Sequence, residues 1–205
     1  MNARAYRQSR RAAASAATRQ RVLDAARDQL LTAEPFTMEA VARRAQVSRV
    51  TVYDQFGDRD RLREAVFDHL AETGGLARIP WAFAAADPAE GIGRLADVFS
   101  GFYAAHRTVI RRLHALSALK AGEGELPPDR NLRRRHILTV LLERLVKLPE
   151  NRELDVEGTA ITLHALTSFE FYDQLASADP TTQASERVRD LVAMVLKRAA
   201  EPGSR

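Results

Sequence analysis

Arg49, Thr51 and Tyr53 are side chains whose types and spacing point to one chemistry. An arginine fork matches a guanine edge, a threonine methyl meets a thymine methyl, and a tyrosine hydroxyl reaches a phosphate. They act together only if one short element presents them on one side. Met38, Val41, Ala42 and Ala45 fall at i, i+3, i+4 and i+7, an apolar helical stripe. Thr37 is its N-cap, and Phe36 is placed to staple onto Val41. After the break at Ala45-Gln46-Val47, Ser48 is a second N-cap and Val47 staples onto Val52. In this second helix Val52 and Phe56 face inward, leaving Arg49, Val50, Thr51, Tyr53 and Asp54 outside. A helix with that outer face, propped at an angle on its predecessor, is the shape that enters a DNA major groove. The bland alternative is a helical hairpin with a polar surface.

The run Val47-Ser48-Arg49-Val50-Thr51-Val52-Tyr53-Asp54-Gln55-Phe56-Gly57-Asp58-Arg59-Asp60-Arg61-Leu62 resembles the recognition-helix signature of the tetracycline-repressor (TetR) family of transcriptional regulators. That signature runs VS-x-x-T-[VLI]-Y-x-x-F, then Gly or Pro, a short polar turn and Leu. Val22-Leu23-Asp24-Ala25-Ala26 and Phe36-Thr37-Met38-Glu39-Ala40-Val41-Ala42 are similar too, so the match covers about residues 18 to 70. Two positions depart from the family pattern. Gln46 stands where a glycine usually precedes Val-Ser, so the turn either carries modest strain or takes another form. Asp54 stands near the helix end where the family often has a basic residue or His; it either points away from phosphate or weakens the contacts there.

Charge agrees with a nucleic-acid-binding end. Residues 1–70 hold 13 Lys/Arg against 9 Asp/Glu, whereas residues 71–205 hold 18 against 18, so the whole excess of +4 sits with the helix-turn-helix. There is no cysteine, hence no disulfide or thiolate chemistry, and no apolar run long enough to span a membrane. With no apolar h-region at the N-terminus, a cytoplasmic location is expected. The five histidines, His69, His106, His114, His136 and His164, show no HxxH, HxH or HExxH spacing, so no metal site and no cofactor is expected.

The chain reads as three segments: a basic, flexible arm over 1–17 carrying Arg4, Arg7, Arg10 and Arg11; a helix-turn-helix domain over 18–62; and a helical domain over 63–205. The expected class is all-α, a three-helix N-terminal DNA-binding domain plus a C-terminal ligand-binding and dimerisation domain, about nine helices in total. Gly57 closes the recognition helix and Asp58 caps the next one, whose stripe is Leu62, Ala65, Val66 and Leu70. The stretch 78–87 (RIPWAFAAAD) reads as a loop whose Trp81 and Phe83 either form a lid or pack over the bundle. Further helices are expected from Pro88 to Tyr103, Thr108 to Leu119, Asp129 to Leu148, Asp155 to Ser177 and Thr181 to Ala200, with a loop over Ala121 to Pro128. Arg133, Arg134 and Arg135 form a basic cluster, either a solvated surface or a partner for an anionic effector carboxylate.

The DNA-facing candidates are Thr37, Ser48, Arg49, Val50, Thr51, Tyr53, Arg59 and Arg61. Partners implied by the resemblance are double-stranded DNA with a palindromic operator, a second copy joined through the last two helices, and a small-molecule effector that releases the DNA. Candidates for the effector site are Phe99, Phe102, Tyr103, Leu113, His114, Leu138, Leu142, His164, Thr167, Ser168 and Phe169, each of which also reads as ordinary core. Regulation by repression follows from the same resemblance. Two other classes compete: a helical enzyme, for which no Gly-rich phosphate loop, GxSxG or paired acid/base group speaks, and an assembly module binding DNA without sequence preference and without a ligand.

Overall fold

Apolar stripes at helical spacing, with no alternation of period two, produce an all-helical chain. The computed structural model describes residues 3–118, 128–178 and 183–200. Among them are α1 (Ala3–Leu30), α2 (Met38–Ala45), α3 (Arg49–Phe56), α4 (Arg59–Thr73), α5 (Ile79–Phe83), α6 (Pro88–Ala118), α7 (Pro128–Leu145), α8 (Val156–Leu166), α9 (Phe169–Ala178) and α10 (Ala184–Ala199), with short 3-10 turns at Leu76–Arg78 and Pro149–Asn151. No helix of the described residues is long and apolar enough to cross a membrane.

The chain divides into two units. The head comprises Met1–Leu70 with Thr108–Leu116; the body comprises Ala71–Arg107 with Ser117–Arg205. In the head, Val22, Ala26 and Leu30 of α1, Val41 of α2, Val52 and Phe56 of α3, and Leu62, Val66 and Leu70 of α4 are buried. Gln29 is 1 % exposed and fully employed: its amide donates to Glu34 and to the Pro35 carbonyl, and its oxygen accepts from Arg44 Nε at 3.2 Å. That is how a buried amide avoids its desolvation penalty. In the body, Ile92, Leu95, Phe99 and Phe102 of α6, Leu138, Leu141 and Leu142 of α7, Leu163 of α8 and Val188 and Val192 of α10 form the core. A Cβ at Gly91 would stand 2.8 Å from the Ala82 carbonyl, so glycine there is what lets α5 lie against α6. Arg189 of α10 pairs with Asp97 and Glu90 of α6, and Arg107 of α6 pairs with Asp173 of α9 at 2.6 Å.

Several local expectations change. Residues 3–17, expected to precede the first helix, are the first turns of α1, and those from Gln8 to Ala17 are exposed. Alanine and arginine propagate a helix already nucleated by the packed segment beyond Thr18, so no tertiary partner is needed to extend it. Residues 76–83 are helical turns rather than loop, with Pro80 in the first turn of α5 where its missing N–H costs nothing. Trp81 is 40 % exposed and lies between the guanidinium groups of Arg78 and Arg94, each 4.9 Å from its ring centre. The two helices expected over 88–119 are present and run on from one another through a kink at His106, whose dihedrals are non-helical (φ −122°, ψ 17°). The single helix expected over 155–177 is two, parted at Thr167-Ser168. There the Thr167 hydroxyl bonds the Leu163 carbonyl at 2.8 Å, and the Ser168 hydroxyl accepts from the Phe171 N–H at 3.1 Å, opening α9. The loop expected from Ala121 and the helix start expected at Thr181 lie outside the described residues.

Candidate nucleic-acid interface

Two side-chain caps place α3. Thr37, extended at φ −130° and ψ 152°, accepts from the Ala40 N–H at 3.1 Å and starts α2; Ser48 accepts from the Thr51 N–H at 3.0 Å and starts α3. Between them the chain turns on Gln46, which sits in the left-handed region (φ 55°, ψ 45°). The Gln46 N–H bonds the Arg43 carbonyl and the Val47 N–H bonds the Ala42 carbonyl at 3.0 Å, the paired closure of a Schellman motif. Of the two alternatives left open by the sequence, the turn therefore keeps its usual form and Gln46 carries the strain. Gln46→Gly is expected to raise the unfolding free energy by about 1 kcal/mol, because a Cβ is disfavoured in this conformation. Chemical denaturation checks this; an unchanged or lower midpoint would contradict it. Gly57 closes α3 at φ 79°, its N–H on the Tyr53 carbonyl at 2.7 Å, and the Asp58 carboxylate caps the Asp60 and Arg61 N–H groups to start α4.

On the surface so built, Ser48, Arg49, Val50, Tyr53, Arg59 and Arg61 are exposed, while Thr37 and Thr51 are half-buried. Thr37, Met38, Glu39, Arg49, Tyr53 and Arg59 surround one concavity of about 280 Å³, bringing four of the sequence candidates together. Arg49 donates to Glu39 at 2.7 Å and lies 5.4 Å from the centre of the Tyr53 ring. The Tyr53 hydroxyl first, and the Glu39 carboxylate next, hold its guanidinium above the usual arginine value. Glu39 has no place in the sequence-level list; its position one residue past Met38, in the first turn of α2, was the available signal. Arg61 leans instead towards Asp58 at 3.8 Å. Asp54 is exposed, and Gln55 is directed to α1, its amide donating to Ser15 at 3.2 Å while its carbonyl accepts from Arg19. The helical N-terminal extension is thus tied to the recognition helix itself.

The effector candidates fall in both units. Leu113 and His114 belong to the head unit, whereas Phe99, Phe102, Tyr103, Leu138, Leu142, His164, Thr167, Ser168 and Phe169 belong to the body. Within the body, the Tyr103 ring lies 5.5 Å from Phe169 and 5.8 Å from Phe102, and its hydroxyl donates to the Thr167 carbonyl. Burial pushes the Tyr103 phenol up, so it stays neutral. Arg134 of the Arg133–Arg135 cluster joins this group, donating to the Tyr103 hydroxyl at 3.1 Å and meeting His164 Nε2 at 3.0 Å. Phe99, Leu138 and Leu142 are core.

Burial first, and the charge of Arg134 next, hold His164 below the ordinary imidazole value; Arg135 acts the same way, while the Asn131 backbone and Glu170 oppose. The sign follows from proton uptake. As pH falls through the usual imidazole range the unfolded chain binds a proton that the folded chain refuses, so stability is lost on acidification. Denaturation at pH 7 and pH 5 is expected to show a larger loss for the native sequence than for His164→Gln. Equal losses would contradict the burial of a neutral His164.

A family model described as bacterial regulatory proteins, tetR family, matches residues 22–66. In fold the chain is similar to a TetR-like transcriptional regulator from Rhodococcus sp. RHA1, with 24% identity over 88% of this chain and 94% of that one and a TM-score of 0.64. It is similar also to the TetR family transcriptional regulator PfmR from Thermus thermophilus, at 20% identity over 86% and 97% and a TM-score of 0.62. NalD, the secondary repressor of the MexAB-OprM multidrug efflux pump in Pseudomonas aeruginosa, matches at 20% identity over 89% and 95% with a TM-score of 0.61. No curated protein matches the sequence.

Proposed function

We propose that this chain, whose residues 22–66 are a TetR-family DNA-binding domain set in the fold of TetR-family regulators, is a dimeric, sequence-specific transcriptional repressor released from a palindromic operator by a small-molecule effector. The observation that carries this reading is the gathering of Thr37, Arg49, Tyr53 and Arg59 round one concavity beside a helix capped at both ends. In this account Arg49 and Thr51 read base edges, aided by Val50 against a thymine methyl. Thr37, Ser48, Tyr53, Arg59 and Arg61 hold phosphates and fix the register. Arg10 and Arg11, exposed on the α1 extension, add phosphate contacts beyond the groove.

Recognition of a palindrome takes two heads at the spacing of a helical turn. Ile161 of α8 and Met194 of α10 are 52 % and 66 % exposed on helices that pack together, and large apolar side chains so placed suit a second copy. In this account the effector binds beside candidates of the body unit, and its departure or arrival resets the spacing of the two heads.

Arg59→Ala separates phosphate holding from base reading. It is expected to weaken binding to all sequences alike and to lower the slope of log K against log salt by about one. A salt titration on two DNAs of unrelated sequence measures both. Loss confined to one DNA would contradict the role given to Arg59.

A further inference from the structure

Arg134 is a half-buried arginine of the body that forms no ion pair among the described residues; Glu170 acts only at longer range, on its partners Tyr103 and His164. The comparison within the unit is direct. Arg107 is neutralised by Asp173, Arg189 by Asp97 and Glu90, and Arg135 lies 3.6 Å from Glu157. Arg144 spends its donors on the Phe83 and Ala85 carbonyls. Half-buried Arg134 instead donates to two neutral groups, the Tyr103 hydroxyl and His164 Nε2, and its Nε is sealed from solvent with no acceptor among the described residues. A guanidinium has five N–H donors, and a shielded one left unbonded carries a desolvation cost.

The two neutral partners are themselves fixed. Tyr103 gives its proton to the Thr167 carbonyl at 3.2 Å, so its oxygen is free to accept from Arg134. His164 accepts at Nε2, which places its proton on Nδ1, towards the Asn131 backbone. Neither can neutralise the charge; both hold the guanidinium in one orientation. Beside it stand aromatic rings: Phe169 edge-on to Tyr103 at 5.5 Å and Tyr172 at 5.8 Å. A preoriented guanidinium with no ion pair among the described residues, next to buried aromatic rings, is complementary to an anion carrying an apolar body.

Building on the effector-release reading above, we infer that Arg134 anchors the carboxylate of the effector, a small organic acid with an apolar body. The carboxylate supplies the counter-charge that Arg134 lacks among the described residues, and the apolar body lies against the aromatic rings. A neutral isostere leaves the charge uncompensated and binds less well.

The test uses the full chain and matched probes: 1-naphthoate, phenylacetate and octanoate, each beside its amide. Thermal melting without DNA is read first. At least one carboxylate is expected to raise Tm with little effect from its amide. Arg134→Gln, shown by circular dichroism to be folded, is expected to weaken that carboxylate about 10- to 100-fold. Arg134→Lys, which keeps the charge and loses the fork, recovers only part of it. No stabilisation by any of the three acids, equal stabilisation by acid and amide, or full binding by Arg134→Gln would each overturn the inference. DNA binding is then measured separately. An acid that binds through Arg134 but leaves the DNA complex intact would uphold the anion site and overturn the release mechanism. Absence of any DNA binding by the ligand-free chain would overturn the repressor reading alone.

Discussion

Replacing Ile161 and Met194 together by glutamate is expected to turn the proposed dimer into a monomer and to reduce operator binding by about two to four orders of magnitude. The side chains are 52 % and 66 % exposed in the single chain, so the change costs the monomer fold little. In a dimer closed over α8 and α10 the same change buries like charges in an apolar seam. Two linked heads bind a palindrome as one event followed by an intramolecular one, and it is this second step that the monomer loses. Light scattering on the eluting protein and DNA titration on the same sample read both effects. A persistent dimer would put the interface elsewhere. A monomer with undiminished affinity would remove the need for two heads.

Arg49→Ala is expected to weaken operator binding about 10- to 100-fold while weakening unrelated DNA much less, so that the preference relaxes. The side chain is exposed at the first turn of α3, beyond Ser48, where a recognition helix meets base edges. Its bond to Glu39 at 2.7 Å and its place over the Tyr53 ring hold it ready on that surface. Arg49→Lys is expected to recover little, since a point charge cannot make the forked contact that a guanine edge accepts. Equal weakening on every DNA would move Arg49 from base reading to phosphate holding. An unchanged preference would displace α3 from the groove.

The head was legible because its determinants are local. A cap needs one hydroxyl and an N–H three residues on, a staple needs two apolar residues at fixed spacing, and a closing glycine declares its own conformation. Thr37, Ser48, Gly57 and Asp58 each act as their neighbours in the sequence require. Gln46 was legible as a departure but not in outcome, because the strain of a left-handed residue is outweighed by two turn-closing hydrogen bonds that only the folded backbone reveals.

The N-terminal extension of the head and the body were less legible, for two physical reasons. Composition does not separate a solvated helix from a coil: residues 8–17 bury nothing, yet alanine favours helix in any context once a packed segment nucleates it. A run of arginines, likewise, does not say which one turns inward. The stripe of α7 did hold that information. Arg134 stands four residues before Leu138 and seven before Leu141, on the face that is buried. The Thr167-Ser168 break was signalled by two hydroxyl residues able to compete for backbone groups. The grouping of Thr108–Leu116 with the head depends on contacts distant in sequence, which no local pattern encodes.

The most direct test of the central claim is fluorescence anisotropy on the DNA immediately upstream of the gene for this chain, against a scrambled duplex of the same composition at physiological salt. The account predicts at least ~10³-fold preference for the upstream DNA. Equal affinity for the two duplexes, with a steep salt dependence shared by both, would contradict sequence-specific recognition there and favour a module that binds the phosphate backbone alone.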